Sequence, residues 1–282
     1  MSISIRPLAD ADLPAVDQIL RLAFQSTASR LPDLQLYRQI HPDGWFVATR
    51  RGAPLGMVGA SNYGAFAHIG FMAVHPQAQR QGIGLALMQF VLADLEGKGV
   101  PLVTLDASAA GRHLYESLGF IPHDETCLLR RQGNLIAPPG SAGIDDLSVH
   151  DLDELVQADT PVFGADRRRL FQVLLEAFPG RAFLQRDAAG QLAGYLFAQN
   201  LRIGPWVVFQ PQAAEALLQA ALGLPFEEPL SVHVPSGNRV ELELLQRYGF
   251  ELVRSNLHMW RGVSGSPGQR QKIYAQTSLA VG

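Results

Sequence analysis

Residues Ile69–Met88 read IGFMAVHPQAQRQGIGLALM. An apolar run, Ile69 to Val74, ends at His75-Pro76. A short loop follows, Gln79-Arg80-Gln81-Gly82-Ile83-Gly84, and a helical pattern begins at once. Strand, glycine-bearing loop and helix start together make a place for a phosphate group. The N–H groups of a helix's first turn lack internal partners, and the helix dipole favours an anion there. Glycine lets the backbone approach the anion, and Arg80 adds a charge that suits phosphate oxygens. Gly82 and Gly84 alone would equally serve a turn that needs positive φ. No Gly-Lys-Ser/Thr follows, so the loop is not a P-loop. Leu87 stands where the third glycine of a dinucleotide fingerprint would fall.

A second motif lies downstream, in Pro101–Glu125, PLVTLDASAAGRHLYESLGFIPHDE. Leu102 to Leu105 reads as a short strand. Gly111 to Leu118 reads as a helix, closed by a glycine C-cap at Gly119-Phe120. Gln79-x-x-Gly82-x-Gly84 resembles the pyrophosphate loop of the GNAT superfamily of acyl-CoA-dependent N-acetyltransferases. Leu114-Tyr115-x-x-x-Gly119-Phe120 resembles that family's tyrosine-bearing helix, and the order and separation of the two also fit. The pairing spans Ile3 to Arg131.

Composition sets the class. The chain has 282 residues, enough for two ordinary domains, and 47% are hydrophobic, normal for a packed core. A formal net charge of −3 gives no basic field for nucleic acid. The single cysteine, Cys127, excludes an internal disulfide and reads as a small buried apolar residue. No apolar stretch reaches signal-peptide or membrane-span length, so a cytoplasmic protein without a membrane partner is expected.

The chain also repeats itself. Leu114-Tyr-Glu-Ser-Leu-Gly-Phe120 has a counterpart in Leu244-Leu-Gln-Arg-Tyr-Gly-Phe250. Phe120 to Arg131 and Phe250 to Arg261 are equally long, and each run ends on a basic residue with glycine close behind. A duplicated domain is expected: an α/β fold with a mixed sheet, built as two tandem GNAT-like halves. Residues 1–133 form the first, 134–142 a Gly/Pro/Ser-rich linker, and 143–282 the second. In the first half, strands are expected at Ser2 to Arg6, Trp45 to Thr49, Leu55 to Ser61 and Ala67 to Val74. Helices are expected from Asp10 or Asp12 to Phe24 and over Ile83 to Glu96. In the second half, Asp151 starts a helix, Phe183 to Gln185 and Leu192 to Leu196 are strands, and Ala213 to Leu222 is a helix. Leu230 to Val234 is a strand and Val240 to Tyr248 a helix. Phe163-Gly164-Ala165-Asp166-Arg167 and Gly204-Pro205 resemble a divergent acetyltransferase-like domain found behind a standard one. Val207 to Gln212 carries no glycine loop, and Leu245, without a hydroxyl, matches Tyr115. One cofactor site is therefore expected, in the first half.

The resemblance implies acetyl-CoA as co-substrate and no metal. It places Gln79, Arg80, Gln81, Gly82, Ile83, Gly84 and Leu85 on the pyrophosphate, and Met72, Ala73 and Val74 along the pantetheine arm. A main-chain N–H near Met72 would polarise the thioester, and Tyr115 would be the general acid. It implies transfer by direct attack of a primary amine in a ternary complex, with a small molecule preferred over a peptide N-terminus. A CoA-binding sensor or scaffold is the rival, and the assembly is a monomer or homodimer. No base is identified. His68 reads as structural or exposed, Asp106 and Ser108 as turn caps or water-orienting groups, and Glu116 as pointing away. His113 and His123 read as solvated or capping residues. The acceptor region includes Phe24, Tyr37, Trp45 and Tyr63, with Trp206 and Arg202 as further candidates. For Arg202 the plain alternative is a solvated surface charge.

Overall fold

The computed structural model describes residues 3–133, 143–227, 229–263 and 265–282, so the expected linker 134–142 lies outside them. The first half runs β1 (Ser4–Pro7), α1 (Leu13–Ala23), α2 (Leu31–Ile40), β2 (Trp45–Arg50), β3 (Ala53–Asn62) and β4 (Ala67–Val74). It continues with α3 (Ile83–Gly97), β5 (Leu102–Ala107), α4 (Arg112–Ser117) and β6 (Ile121–Arg131). The second half runs β7 (Ile144–Asp146), α5 (Leu152–Phe163), α6 (Arg168–Ala177), β8 (Ala182–Arg186), β9 (Leu192–Ala198) and β10 (Arg202–Val208). It closes with α7 (Ala213–Leu222), β11 (Leu230–Pro235), α8 (Arg239–Arg247), β12 (Glu251–Gly262) and β13 (Ile273–Ala275).

Local chemistry sets most boundaries. Helix α3 begins after Gly82, whose φ of 78 starts the turn, and buries Ile83, Leu87, Met88, Val91, Leu92 and Leu95 along one side. Asp12 precedes α1 but does not cap it with its side chain. Its carboxylate instead binds Arg6 at 2.7 and 2.8 Å and the Ala9 N–H at 2.9 Å. Helices α2 and α6 are additions to the elements expected from sequence, and they pack on each other across the two halves.

All the strands join one sheet, ordered β1-β2-β3-β4-β5-β12-β6-β11-β10-β9-β8-β7, with β13 paired to β10. The two halves exchange their closing strands. β12 lies beside β5, from Leu257↔Ala107 to Gly262↔Leu102, and on its other edge beside β6. β6 in turn pairs with β11, from Leu230↔Arg131 to Pro235↔Thr126. Side chains alternate between faces. One core, under α1, α2, α5 and α6, runs continuously through both halves. On the opposite face α3 and α4 cover one core, and α7 and α8 another.

Two pairs of parallel strands part within this sheet. β4 and β5 pair only at Ala67↔Val103, His68↔Thr104 and Ile69↔Leu105, and β4 then continues to Val74 on the β3 ladder alone. β10 and β11 pair only at Arg202↔Ser231 and Ile203↔Val232. In the second half β13 fills the gap, with Trp206↔Ala275 and Val207↔Ile273.

Buried polar ties reinforce the union. Arg202 of β10 donates to Asp33 of α2 at 2.7 Å and to the Tyr37 hydroxyl. Tyr63 donates to the Val281 carbonyl at 2.6 Å. Gly70 of β4 lies directly under the 279–282 segment, where an added Cβ would fall 2.3 Å from Ala280 Cα. No helix among the described residues is long and apolar enough to cross a membrane.

Because β12 separates β5 from β6, residues 1–133 expressed alone should not give a folded monomer. Circular dichroism and sedimentation should show an unfolded chain or a strand-exchanged dimer, and a cooperative monomer would contradict the topology. A pH dependence also follows from buried histidines. Burial pushes His68 down to about 4 and His233 down to about 3. An unfolded histidine titrates near about 6.5, so between these values the unfolded chain binds protons that the native one does not. Burial lowers His41 to about 4 as well and raises the Glu241 carboxyl, which acts in the opposite sense. Stability should therefore rise with pH between about 4 and about 6.5, with a net linkage of about two protons. Urea midpoints across that range test it, and a flat profile would contradict it.

Candidate active site

The loop before α3 presents its backbone outward. Gln79, Arg80, Gln81 and Gly82 are exposed, and Arg80 and Gly82 take φ of 59 and 78. A Cβ at Gly82 would meet no atom within 4 Å. The first helical bond runs from the Ala86 N–H to the Gly82 carbonyl at 3.0 Å, so the N–H groups before it face out of the helix end. Gln79 donates to the Val74 carbonyl at 3.1 Å and Gln81 to the Gln77 carbonyl at 3.1 Å. Arg50 holds Gln81 at 3.0 Å. These bonds brace a cradle whose free groups are donors and one arginine, which suits a pyrophosphate.

Gly84 marks where three elements meet. A Cβ there would lie 3.0 Å from Met72 Cε, 3.5 Å from Leu114 Cδ2 and 3.7 Å from Val74 Cγ2. The helix start, the end of β4 that has parted from β5, and α4 thus converge. Next to Leu114, Tyr115 is buried, packed against Phe120 with ring centroids 6.0 Å apart. Burial pushes its hydroxyl up to about 12, so it keeps its proton. The sequence-expected residues Met72, Val74, Gln79 to Leu85 and Tyr115 therefore gather on the α3 face at the parted strands, while the Ala73 side chain turns to the opposite core.

The other face carries a cavity lined by residues of both halves. Its walls include Phe66, His123, Phe163, His258, Trp260 and Arg270. Cross-strand register builds its floor. His68 pairs with Thr104, and His258 with Asp106. His258 Nδ1 lies 2.9 Å from Asp106 Oδ1, which also accepts from Thr126 Oγ1 at 2.6 Å. Arg270 donates to Thr126 Oγ1 at 2.7 Å and to Asp124 at 2.8 Å. Burial would raise the Asp106 carboxyl, but His258, His68 and Arg270 together hold it well below the carboxylate range. It is ionised, and an ionised carboxylate only accepts hydrogen bonds.

The remaining sequence candidates fall into place. His68 is structural: its Nε2 faces the Leu279 carbonyl at 3.4 Å and its Nδ1 faces Thr104 Oγ1 at 3.0 Å. Ser108 caps the turn before α4, accepting from the Gly111 N–H at 3.3 Å. Glu116 pairs with Arg112 at 2.7 Å and with His113 at 3.5 Å on the surface. His123 is exposed, as expected, and stacks on Trp260 with ring centroids 3.9 Å apart. Phe24 is exposed, Tyr37 and Trp45 are core, and Tyr63 packs edge-on against Phe163 at 4.9 Å. Arg202 is neither a surface charge nor an acceptor contact, because its guanidinium is spent on Asp33 and Tyr37. Trp206 and Leu245 are buried in the second half's own core. Phe163 belongs to a motif noted in the sequence but without a role at the site, whereas His258 carried no sequence signal, since the exchange of β12 brings it beside Asp106.

Comparison with known proteins agrees with this geometry. A family model described as acetyltransferase (GNAT) family matches residues 13–120, and one described as acetyltransferase (GNAT) domain matches residues 155–275. Over 239 residues the chain is 27% identical to the uncharacterized N-acetyltransferase YitH of Bacillus subtilis, covering 82% of each. A solved structure from Pyrococcus horikoshii superposes with a TM-score of 0.86 at 24% identity, covering 99% of this chain and 96% of that one. A tandem GNAT protein from the clavulanic acid biosynthesis pathway superposes at 0.64 and 16% identity, covering 94% and 100%. The two superpositions are likenesses of fold. With both halves matched, the chain belongs to the acetyltransferase (GNAT) family, as a tandem member with two such halves in one polypeptide.

Proposed function

We propose that this protein transfers an acetyl group from acetyl-CoA to a primary amine of a small molecule, by direct attack in a ternary complex. One observation carries this reading. The α3 loop and Tyr115 meet the parted end of β4 on one face, and an aromatic cavity containing histidines opens on the other face beside the last β4–β5 pairs. Residues 1–133 supply the cofactor site, 143–282 form the divergent half, and 134–142 join them.

Each chemical need has a group. The outward N–H groups of residues 80–85 and Arg80 hold the pyrophosphate. The free edge of Met72, Ala73 and Val74 pairs with the pantetheine arm. A backbone N–H near Met72 donates to the thioester oxygen as it gains charge. The amine nitrogen attacks the carbonyl carbon, the C–N bond forms and the C–S bond breaks. Tyr115 gives its proton to the departing sulfur, whose thiol titrates near about 8.5 when unperturbed. The acceptor's body lies between Phe66, Phe163 and Trp260, whose rings suit a compact, partly apolar amine.

A thiol-release assay with a panel of small amines tests the reaction. Amine-dependent release is expected, whereas binding without turnover on every amine would point to a sensor. Tyr115→Phe should lower kcat by about 100-fold or more while leaving acetyl-CoA affinity unchanged. An unchanged rate would remove the tyrosine from the chemistry. Gly82→Val forces a β-branched residue to positive φ in the cradle. It should weaken acetyl-CoA binding at least about tenfold, read by calorimetry, beyond a strain cost of about 1–2 kcal/mol.

A further inference from the structure

Given amine acetylation as proposed above, we propose that His258, carried by β12 of the second half, is the general base for the transfer catalysed at the first half, with Asp106, Thr126 and Arg270 as its positioning residues.

The geometry selects this histidine among the polar groups near the cavity. Asp106 follows the last β4–β5 ladder pair, Ile69↔Leu105, by one residue. Asp106 thus borders the gap, and His258, in register with it on the other edge of β5, stands one strand away on the cavity face. Along these strands Val103, Leu105, Ile69 and Met259 face α3, so Thr104, Asp106, His68 and His258 face the opposite side, where the cavity lies. Tyr115 sits with the α3-side core. Acid and base thus lie on opposite faces of the sheet, so that one can serve the amine while the other serves the sulfur.

The hydrogen bonds also fix the tautomer. Asp106 is ionised and can only accept, so the 2.9 Å contact places the imidazole proton on Nδ1. The lone pair is left on Nε2, which has no hydrogen-bond partner among the described residues while the ring lines the cavity. The other groups facing the ring are committed elsewhere. His68, 6.4 Å away and stacked, has both nitrogens engaged. Asp124 is held by Arg270, and His123 lies flat on Trp260. The Asp106 side chain is wholly buried beneath its partners.

The protons balance. The acceptor ammonium gives one proton to His258 Nε2, and the resulting imidazolium is stabilised by Asp106. The free amine attacks and sheds its second proton. That proton replaces the one Tyr115 delivers to sulfur, and His258 releases the first to solvent. The second half, with its own gap filled by β13, would then supply the base and half of the acceptor wall.

Two readouts test the role. For amines protonated at the assay pH, His258→Gln should lower kcat/KM by about 100- to 10,000-fold with acetyl-CoA affinity unchanged. The deficit should shrink to less than about tenfold for an amine whose conjugate acid titrates below the assay pH. An equal deficit across the amine series, or none, would overturn the role. The second readout needs no turnover: ¹⁵N correlation spectra of the imidazoles, with His258 identified by its loss in His258→Gln. The resting protein should show His258 protonated at Nδ1 and bare at Nε2, and the isosteric Asp106→Asn should abolish that preference. An Nε2–H tautomer overturns the base assignment. Wild-type protein inactive on every amine overturns the transfer reading instead, and the spectra still decide the tautomer.

Discussion

The structure depends on the seating of β12 between β5 and β6. That placement makes two duplicated halves one sheet and gives them a common core under α1, α2, α5 and α6. It also puts His258 beside Asp106, and Trp260 beside His123. Closing strands with similar patterns are interchangeable partners, so a duplicated chain can exchange them while keeping each ladder's register and each face's hydrophobicity. Removing either half would leave a β5-type strand with an exposed edge, which proteins seldom tolerate. The Arg202–Asp33–Tyr37 cluster adds a polar requirement, since losing one partner of such a buried pair costs about 3–5 kcal/mol.

The two halves differ most clearly at their parted strands. Parallel pairing ends early in both, after Ile69 in one and after Ile203 in the other. In the second half β13 takes up the freed edge of β10, and Trp206, Tyr274 and Leu245 close the space on the α7–α8 face. In the first half the edge from Met72 to Val74 is left for another occupant. Absence of a glycine loop and of a tyrosine in the second half is matched by a backbone that has filled the slot itself.

Local chemistry was legible in sequence. The strand, the loop with Gly82 and Gly84, the amphipathic α3 and the Tyr115 helix lie within one continuous stretch, and each rests on short-range rules. The duplication was also legible, through Gly119-Phe120 and Gly249-Phe250. The exchange was not, because two similar closing strands give the same pattern whichever partner they take. The His258–Asp106 contact spans 152 residues and follows from that exchange alone. Helix α2 was missed where Pro32 and a weak apolar stripe mask it, although proline is at ease in a first helical turn. β13, three residues long, offers no period to read. Tyr37, Trp45 and Arg202 were reasonable acceptor contacts by residue type, yet burial turned them into core and interface.

The central claim is that one of the two parted strand pairs is open and the other is occupied by the chain's own β13. Isothermal titration of the intact protein with acetyl-CoA measures this directly. The account predicts saturation at one molecule per chain, and two equivalent sites per chain would contradict it.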